Sequence, residues 1–264
     1  MQSTIKQEHK FLLHLFPQSL SKHRSRDIKL TIAATFQKGL NNSMSKVITF
    51  YSDKHKVGKT TSVFFISYCL NKMGKKVTAI DLDRQEALTT AFNSVENYQS
   101  KIKNITPMKI EAEEPLINFL KNDDKSDVVL IDTGSDMILN KVALAISDEV
   151  IIPILGFEGL QTVSPKNISF TASRIAERVT PKALIRFLPI AATEYLPEEQ
   201  KNINTYQHHH REININCYKE AIPDLFNFLA DKQFASDVFH LAMTSEFGMN
   251  QFYERLTNEI LQDS

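Results

Sequence analysis

Ser52-Asp53-Lys54-His55-Lys56-Val57-Gly58-Lys59-Thr60-Thr61 is the stretch on which the reading of this chain turns. Just before it, Val47 to Tyr51 is a short β-branched and aromatic run that reads as a strand. Just after it, Lys59 to Met73 places Val63, Ile66 and Leu70 at helical spacing and stops at Gly74. A Gly-Lys-Thr triplet gains meaning from that context of strand, loop and helix. The backbone N–H groups of such a loop, with the open N-terminus of the helix, make a site for anions. Lys59 adds a full charge suited to the β- and γ-phosphates of a nucleotide. The Thr60 hydroxyl stands where a magnesium ion carried by those phosphates would find a ligand.

Two further segments point to the same edge of a sheet. Ile80-Asp81-Leu82-Asp83-Arg84-Gln85 follows a second strand, Val77 to Ile80, so its two carboxylates emerge at the carboxyl end, where open α/β sheets bind ligands. Val128-Val129-Leu130-Ile131 forms another buried run and delivers Asp132 to that end. Strand-end acids commonly cap the helices that follow them, and that explains any one of these. Three of them opposite a Lys-Thr loop point instead to a magnesium and water site.

Outward from this core the chain alternates β-branched runs with helical patterns, the signature of an α/β fold: a mostly parallel, twisted sheet flanked by helices in three layers. The expected elements are a short helix over Glu114 to Lys121, strands over Val150 to Ile154 and Ala183 to Leu188, and a helix over about 161 to 178. Beyond Glu194 the pattern degrades until two helices, over Asp224 to Lys232 and Met249 to Leu261. The chain divides into a basic N-terminal extension, residues 1–43, and one large domain, residues 44–264.

The net charge of zero hides that division. Residues 1–43 hold seven Lys or Arg against two acids, leaving 24 against 29 in the remainder. The arm reads either as a solvated extension or as a DNA-touching segment; it lacks the uninterrupted apolar stretch of an address peptide. The apolar runs, such as Val63 to Ile66 or Val150 to Leu155, end well before the ~20 residues a membrane span needs, so no stable membrane insertion is expected. Cys69 and Cys217 have no metal-like spacing, and Cys69 falls in a helical pattern as a small buried side chain. A reducing cytoplasm fits. Lys166, Lys182, Arg186, Arg211 and Lys219 read as solvated surface cations, and His208 to His210 as an exposed polar loop.

Over about residues 46 to 160 the chain resembles the ParA/MinD family of P-loop ATPases. That family carries a deviant Walker A loop, Lys-Gly-Gly-x-Gly-Lys-Thr/Ser, whose signature lysine matches Lys54. Its Asp-x-Asp-x-Gln motif matches Asp81 to Gln85, its Walker B end matches Asp132-Thr133, and a later Ile-Ile-Pro matches Ile151-Ile152-Pro153. The resemblance implies ATP and Mg2+ as cofactors, held by the loop Lys54, His55, Lys56, Val57, Gly58, Lys59, Thr60 and Thr61. In it Lys59 holds the β/γ-phosphates and Thr61 the α-phosphate, while Lys54 reaches the partner's nucleotide. Thr60 binds magnesium, Asp132 holds it through a water, Asp81 supports the metal site, and Asp83 orients the attacking water.

It further implies a homodimer formed on ATP, binding to non-specific DNA, a small DNA-binding ParB-like activator, and a cytoplasmic, nucleoid-associated partition ATPase. The pattern departs at His55 and Lys56, which replace two glycines at the dimer seam. The expectation there is a looser or rebuilt sandwich, with ATP binding better preserved than turnover. Asp53 is expected to pair with Lys54 or Lys56. Two alternatives stand beside partition: a MinD-like membrane-cycling ATPase, and a nucleotide-binding ParA-like scaffold with little turnover. The stripe Met249, Phe252, Leu256, Ile260 and Leu261 reads as core rather than as a membrane helix, because its polar face is acidic.

Overall fold

The computed structural model describes residues 45–53, 57–95, 100, 102–123, 125–155, 165–180, 182–190, 201, 204–205, 207–208, 214–218 and 249–262. All belong to the second of two compact units, Ser43–Ser264; the first, Met1–Asn42, lies outside the described residues. So do Lys54, His55, Lys56 and the helix expected over Asp224 to Lys232.

Among the described residues seven strands form one sheet: β1 Lys46–Phe50, β2 Val77–Asp81, β3 Ile105–Lys109, β4 Val128–Asp132, β5 Glu149–Leu155, β6 Leu184–Ile190 and β7 Ile215–Cys217. Their order is β3-β2-β4-β1-β5-β6-β7, and every pairing is parallel. Helices α1 Lys59–Lys72, α2 Ala87–Ser94, α3 Glu113–Asn122, α4 Met137–Ile146, α5 Pro165–Ala176 and α6 Met249–Gln262 accompany it.

Successive strand residues point to opposite faces, and a parallel sheet buries both. Ile48 and Phe50 of β1, Ile151 of β5 and Leu188 and Ile190 of β6 enter one core with Val63, Ile66 and Leu70 of α1. Tyr51, Val150, Ile152, Ile185 and Phe187 enter another with Leu144 of α4 and Ala172 and Ile175 of α5. The expected α6 stripe belongs to the first core: Phe252, Leu256 and Ile260 are buried there beside Tyr253, which stacks on Phe65 at 4.8 Å. Both cysteines are buried, and burial pushes the Cys69 thiol up to about 12.

Four elements depart from the sequence expectation. The strands β3 and β7 and the helices α2 and α4 carry weak or unread local signals. In β3 only Ile105 is buried, and Pro107 sits at the sheet edge where its missing N–H is tolerated. Helix α2 begins after Glu86 at φ 53° with no side-chain cap from that residue. Helix α4 is capped by Asp136, whose carboxylate accepts from Ile138 N and Leu139 N.

Arg186 corrects a further expectation. It is 2% exposed, not a surface cation. Its Nε lies 3.2 Å from Glu149 Oε1, and its guanidinium stands 4.9 Å from the centroid of the Tyr218 ring. Glu149, itself 1% exposed, also accepts from Tyr218 Oη at 2.9 Å and pairs with Lys46 Nζ at 3.1 Å. A carboxylate inside the protein persists only when its charge is met in this way. Lys46 Nζ also donates to Ile260 O at 2.5 Å, tying α6 to the start of β1.

Candidate nucleotide site

Parallel register sets Phe50, Asp132 and Asp81 level with one another at the carboxyl ends of β1, β4 and β2. From β1 the chain moves through α1 to β2 on one side, and from β4 through α4 to β5 on the other. Between β1 and β4 lies the switch point of the sheet, where an open α/β fold leaves a crevice for a ligand. Thr133 fixes that seam: its hydroxyl donates to Phe50 O at 2.7 Å and its N–H to the same oxygen at 3.3 Å.

Helix α1 opens into this crevice. Gly58 precedes it at φ 85°, in the left-handed region, and a Cβ there would stand 2.8 Å from Ile190 Cδ1. No side chain caps the helix from that position, and its ladder begins with Ser62 N to Gly58 O at 2.9 Å. The N–H groups ahead of Ser62 make the anion-binding end of the helix. Lys59 is 9% exposed; burial pulls its pKa down, while the charges of Asp132, Asp83 and Asp53 oppose that shift.

Thr60 Oγ1 donates to Asp132 Oδ2 at 2.6 Å. Asp132 is 1% exposed, and its Oδ1 has no hydrogen-bond partner among the described residues. Burial raises its pKa to about 7, with Asp81 and Asp83 adding to the rise and the Thr60 hydroxyl and Lys59 opposing it. A threonine oxygen with a free lone pair beside an orphaned carboxylate oxygen is a hard-oxygen donor set, which fits magnesium. Among the described residues no three His, Cys, Asp or Glu side chains converge as a metal cage.

Asp81 has a different occupation. Its Oδ1 accepts from Asp83 N at 2.9 Å, and its Oδ2 accepts from Thr89 N at 3.0 Å and Thr89 Oγ1 at 3.2 Å. It thus holds the turn that carries Asp83 and supplies from the strand end the helix cap that Glu86 does not. Three other contacts fix the same turn. Lys109 Nζ donates to Asp83 O, and Asp83 Oδ1 accepts from Gln85 N at 3.2 Å. Gly134 approaches so closely that a Cβ on it would lie 2.4 Å from Asp83 Cα and 2.8 Å from Leu82 O. Asn140 Nδ2 in turn donates to Gly134 O at 2.9 Å.

The lysines expected to pair with Asp53, Lys54 and Lys56, lie outside the described residues, and two other groups hold this carboxylate. Arg174 Nη1 on α5 donates to its Oδ2 at 2.9 Å, and Tyr51 Oη donates to its Oδ1. Of the surface cations named above, Lys182 is exposed, as is His208. Arg211, Lys219 and His209 to His210 lie outside the described residues.

Residues 45–122, which include Lys59 and the Asp81–Asp83 turn, match the profile of the AAA domain family. Several solved structures share the architecture. One is pNOB8 ParA bound to nonspecific DNA, 18% identical with a TM-score of 0.56 over 83% of this chain and 98% of that one. Another is MinD in the MinC:MinD cell division protein complex of Aquifex aeolicus, 16% identical with a TM-score of 0.56 over 83% and 97%. The cobyrinic acid a,c-diamide synthase of Mycobacterium smegmatis with bound ADP and magnesium is 17% identical, with a TM-score of 0.51 over 83% and 94%. The fold is that of the ParA/MinD ATPases. No curated protein matches the chain in sequence.

Within this ParA/MinD-like frame the sequence reading found Lys59, Thr60, Asp81, Asp83 and Asp132, which the structure brings to one sheet edge. It missed Gly134, Lys109 and Arg174. The Gly after Asp132-Thr133 was a legible sign of close backbone approach, whereas nothing local marks Lys109 or Arg174.

Proposed function

We propose that this ParA/MinD-like ATPase binds and hydrolyses ATP with Mg2+, dimerises on ATP, and binds non-specific DNA to segregate or position plasmid or chromosomal DNA. A small DNA-binding ParB-like protein would stimulate it, in a cytoplasmic, nucleoid-associated setting. The observation that carries the magnesium-nucleotide part of this reading is the orphaned Asp132 Oδ1 beside the Thr60 hydroxyl, at the anion-binding start of α1. Thr60, and Asp132 through a water, would hold magnesium, which would supply charge neutralisation for the transferred phosphoryl group. Lys59 grips the β/γ-phosphates, Thr61 the α-phosphate, and Lys54 acts across the dimer. Asp83 orients water, and Asp81 supports the metal site by fixing the Asp83 turn. Positioning and charge supply most of the catalysis in this chemistry.

The DNA-bound state of pNOB8 ParA favours the partition reading. Against membrane cycling stands α6, whose apolar stripe is spent in the core; no helix among the described residues is long and apolar enough to cross a membrane. Against an idle scaffold stands Asp83, braced by Asp81, Lys109 and Gly134.

The direct test is retention of duplex DNA of arbitrary sequence with ATP, with ADP and without nucleotide, alongside sedimentation. ATP-selective DNA binding by a dimer is expected, and equal retention in all three states would sink the partition role. Deleting residues 1–43 in the same assay is expected to weaken DNA binding and flatten its salt slope by about 0.9 for each lost phosphate contact. Identical slopes would make the arm a passive extension.

Gly134→Ala is expected to leave ATP affinity near that of the parent while slowing single-turnover hydrolysis at least about tenfold. The new Cβ must displace backbone at Asp83, and small misplacements of a catalytic group are costly. Equal rates would mean that the position of the Asp83 turn is immaterial.

A further inference from the structure

An aspartate at the mouth of a phosphate loop is out of place electrostatically. Asp53 lies within electrostatic reach of Lys59, so its charge opposes any polyphosphate that Lys59 attracts. The structure meets that charge from outside the loop. Arg174 Nη1 donates to Asp53 Oδ2 at 2.9 Å. Arg178 Nη1 donates to Tyr51 Oη at 3.2 Å, and Tyr51 Oη passes its own proton to a hydrogen bond with Asp53 Oδ1. Both oxygens of Asp53 are therefore engaged by groups that trace back to arginines on or just after α5.

The apolar side of the same helix completes the joint. Tyr51 is 4% exposed and packs in one cluster with Ala172, Ile175, Ala176 and Val179. An exposed ion pair standing alone contributes little. Here Arg174 lies between Ala172 and Ile175, buried residues that already hold the helix against Tyr51, so the backbone that carries the arginine is in place before the pair forms.

We propose that Arg174 is a positioning residue of the phosphate loop, which neutralises Asp53 and anchors the loop entry to α5 so that Lys59 faces nucleotide phosphate without a competing anion. The inference rests on the ATP reading above. It assigns to α5 a control over nucleotide affinity that acts through charge, and it makes Arg174 necessary only while Asp53 is present.

A double-mutant cycle tests it, with a fluorescent ATP analogue titrated at low and high salt into the full chain and its variants. Arg174→Gln is expected to weaken binding about three- to tenfold at low salt and less at high salt, since the exposed part of the interaction is screened. Asp53→Asn introduced into Arg174→Gln is expected to recover most of that loss, and Arg174→Lys to bind close to the parent, because the contact is through a single nitrogen. Thermal denaturation confirms that each variant folds. Unchanged affinity in Arg174→Gln overturns the proposal, as does a loss that persists undiminished beside Asp53→Asn. A parent that binds no nucleotide overturns the ATP reading and this proposal with it, whereas a parent that binds ATP without coupling between the two sites overturns this proposal alone.

Discussion

Lys59→Ala is expected to lower ATP affinity at least about a hundredfold. Each hydrogen bond to a charged partner contributes about 1.5–3 kcal/mol, and a lysine bridging two phosphates makes at least two, so about 3 kcal/mol or more is lost, two powers of ten. The surroundings of Lys59 add to the effect. It is buried, with Asp132, Asp83 and Asp53 all acting on it. Removing the ammonium leaves Asp132 and Asp83 facing the incoming phosphates without the cation that stood between them. The fold should survive, because α1 is anchored by Val63, Phe65, Ile66 and Leu70, which are at most 1% exposed. Titration of a fluorescent ATP analogue, with circular dichroism as the folding check, measures the loss. Affinity equal to that of the parent would remove the phosphate-loop assignment.

The parts of this site that the sequence disclosed are those whose signal is local. A β-branched run, a Gly-Lys-Thr triplet and an apolar stripe lie next to one another in the chain, so β1, the loop and α1 could be read together. Asp81, Asp83 and Asp132 followed from the same logic, each ending a recognisable strand. What escaped is held by contacts distant in sequence. The cap of α2 comes from Asp81 across the turn, so no Ser, Thr, Asp or Asn stands where a helix start would be sought. Asp53 found a counter-charge on Arg174, a pairing across 121 positions that no local pattern announces. Arg186 read as surface because isolated arginines usually are; only the pairing of β5 with β6 reveals Glu149 beside it. Asp136 is the exception, a capping signal that was locally visible at the start of α4.

Asp83→Asn is expected to retain magnesium-ATP binding and to lose hydrolysis by about a hundredfold or more. Two roles for this residue compete, and the asparagine separates them. In the structure Asp83 Oδ1 accepts from Gln85 N at 3.2 Å, a local turn contact of the kind that aspartate and asparagine make equally well. If shaping the turn is its whole role, the amide oxygen of asparagine replaces the carboxylate and turnover is unchanged. If the carboxylate orients water for attack, asparagine keeps the turn but loses the anionic acceptor, and the rate falls although Lys59, Thr60 and Asp132 stand as before. Binding should not suffer, since the charge of Asp83 acts on Lys59 rather than holding the nucleotide, and its removal reduces repulsion toward phosphate. Single-turnover hydrolysis at saturating nucleotide, with affinity titrated separately, distinguishes the two. Equal single-turnover rates in Asp83→Asn and the parent would make Asp83 a turn residue and leave the attacking water to be positioned by another group.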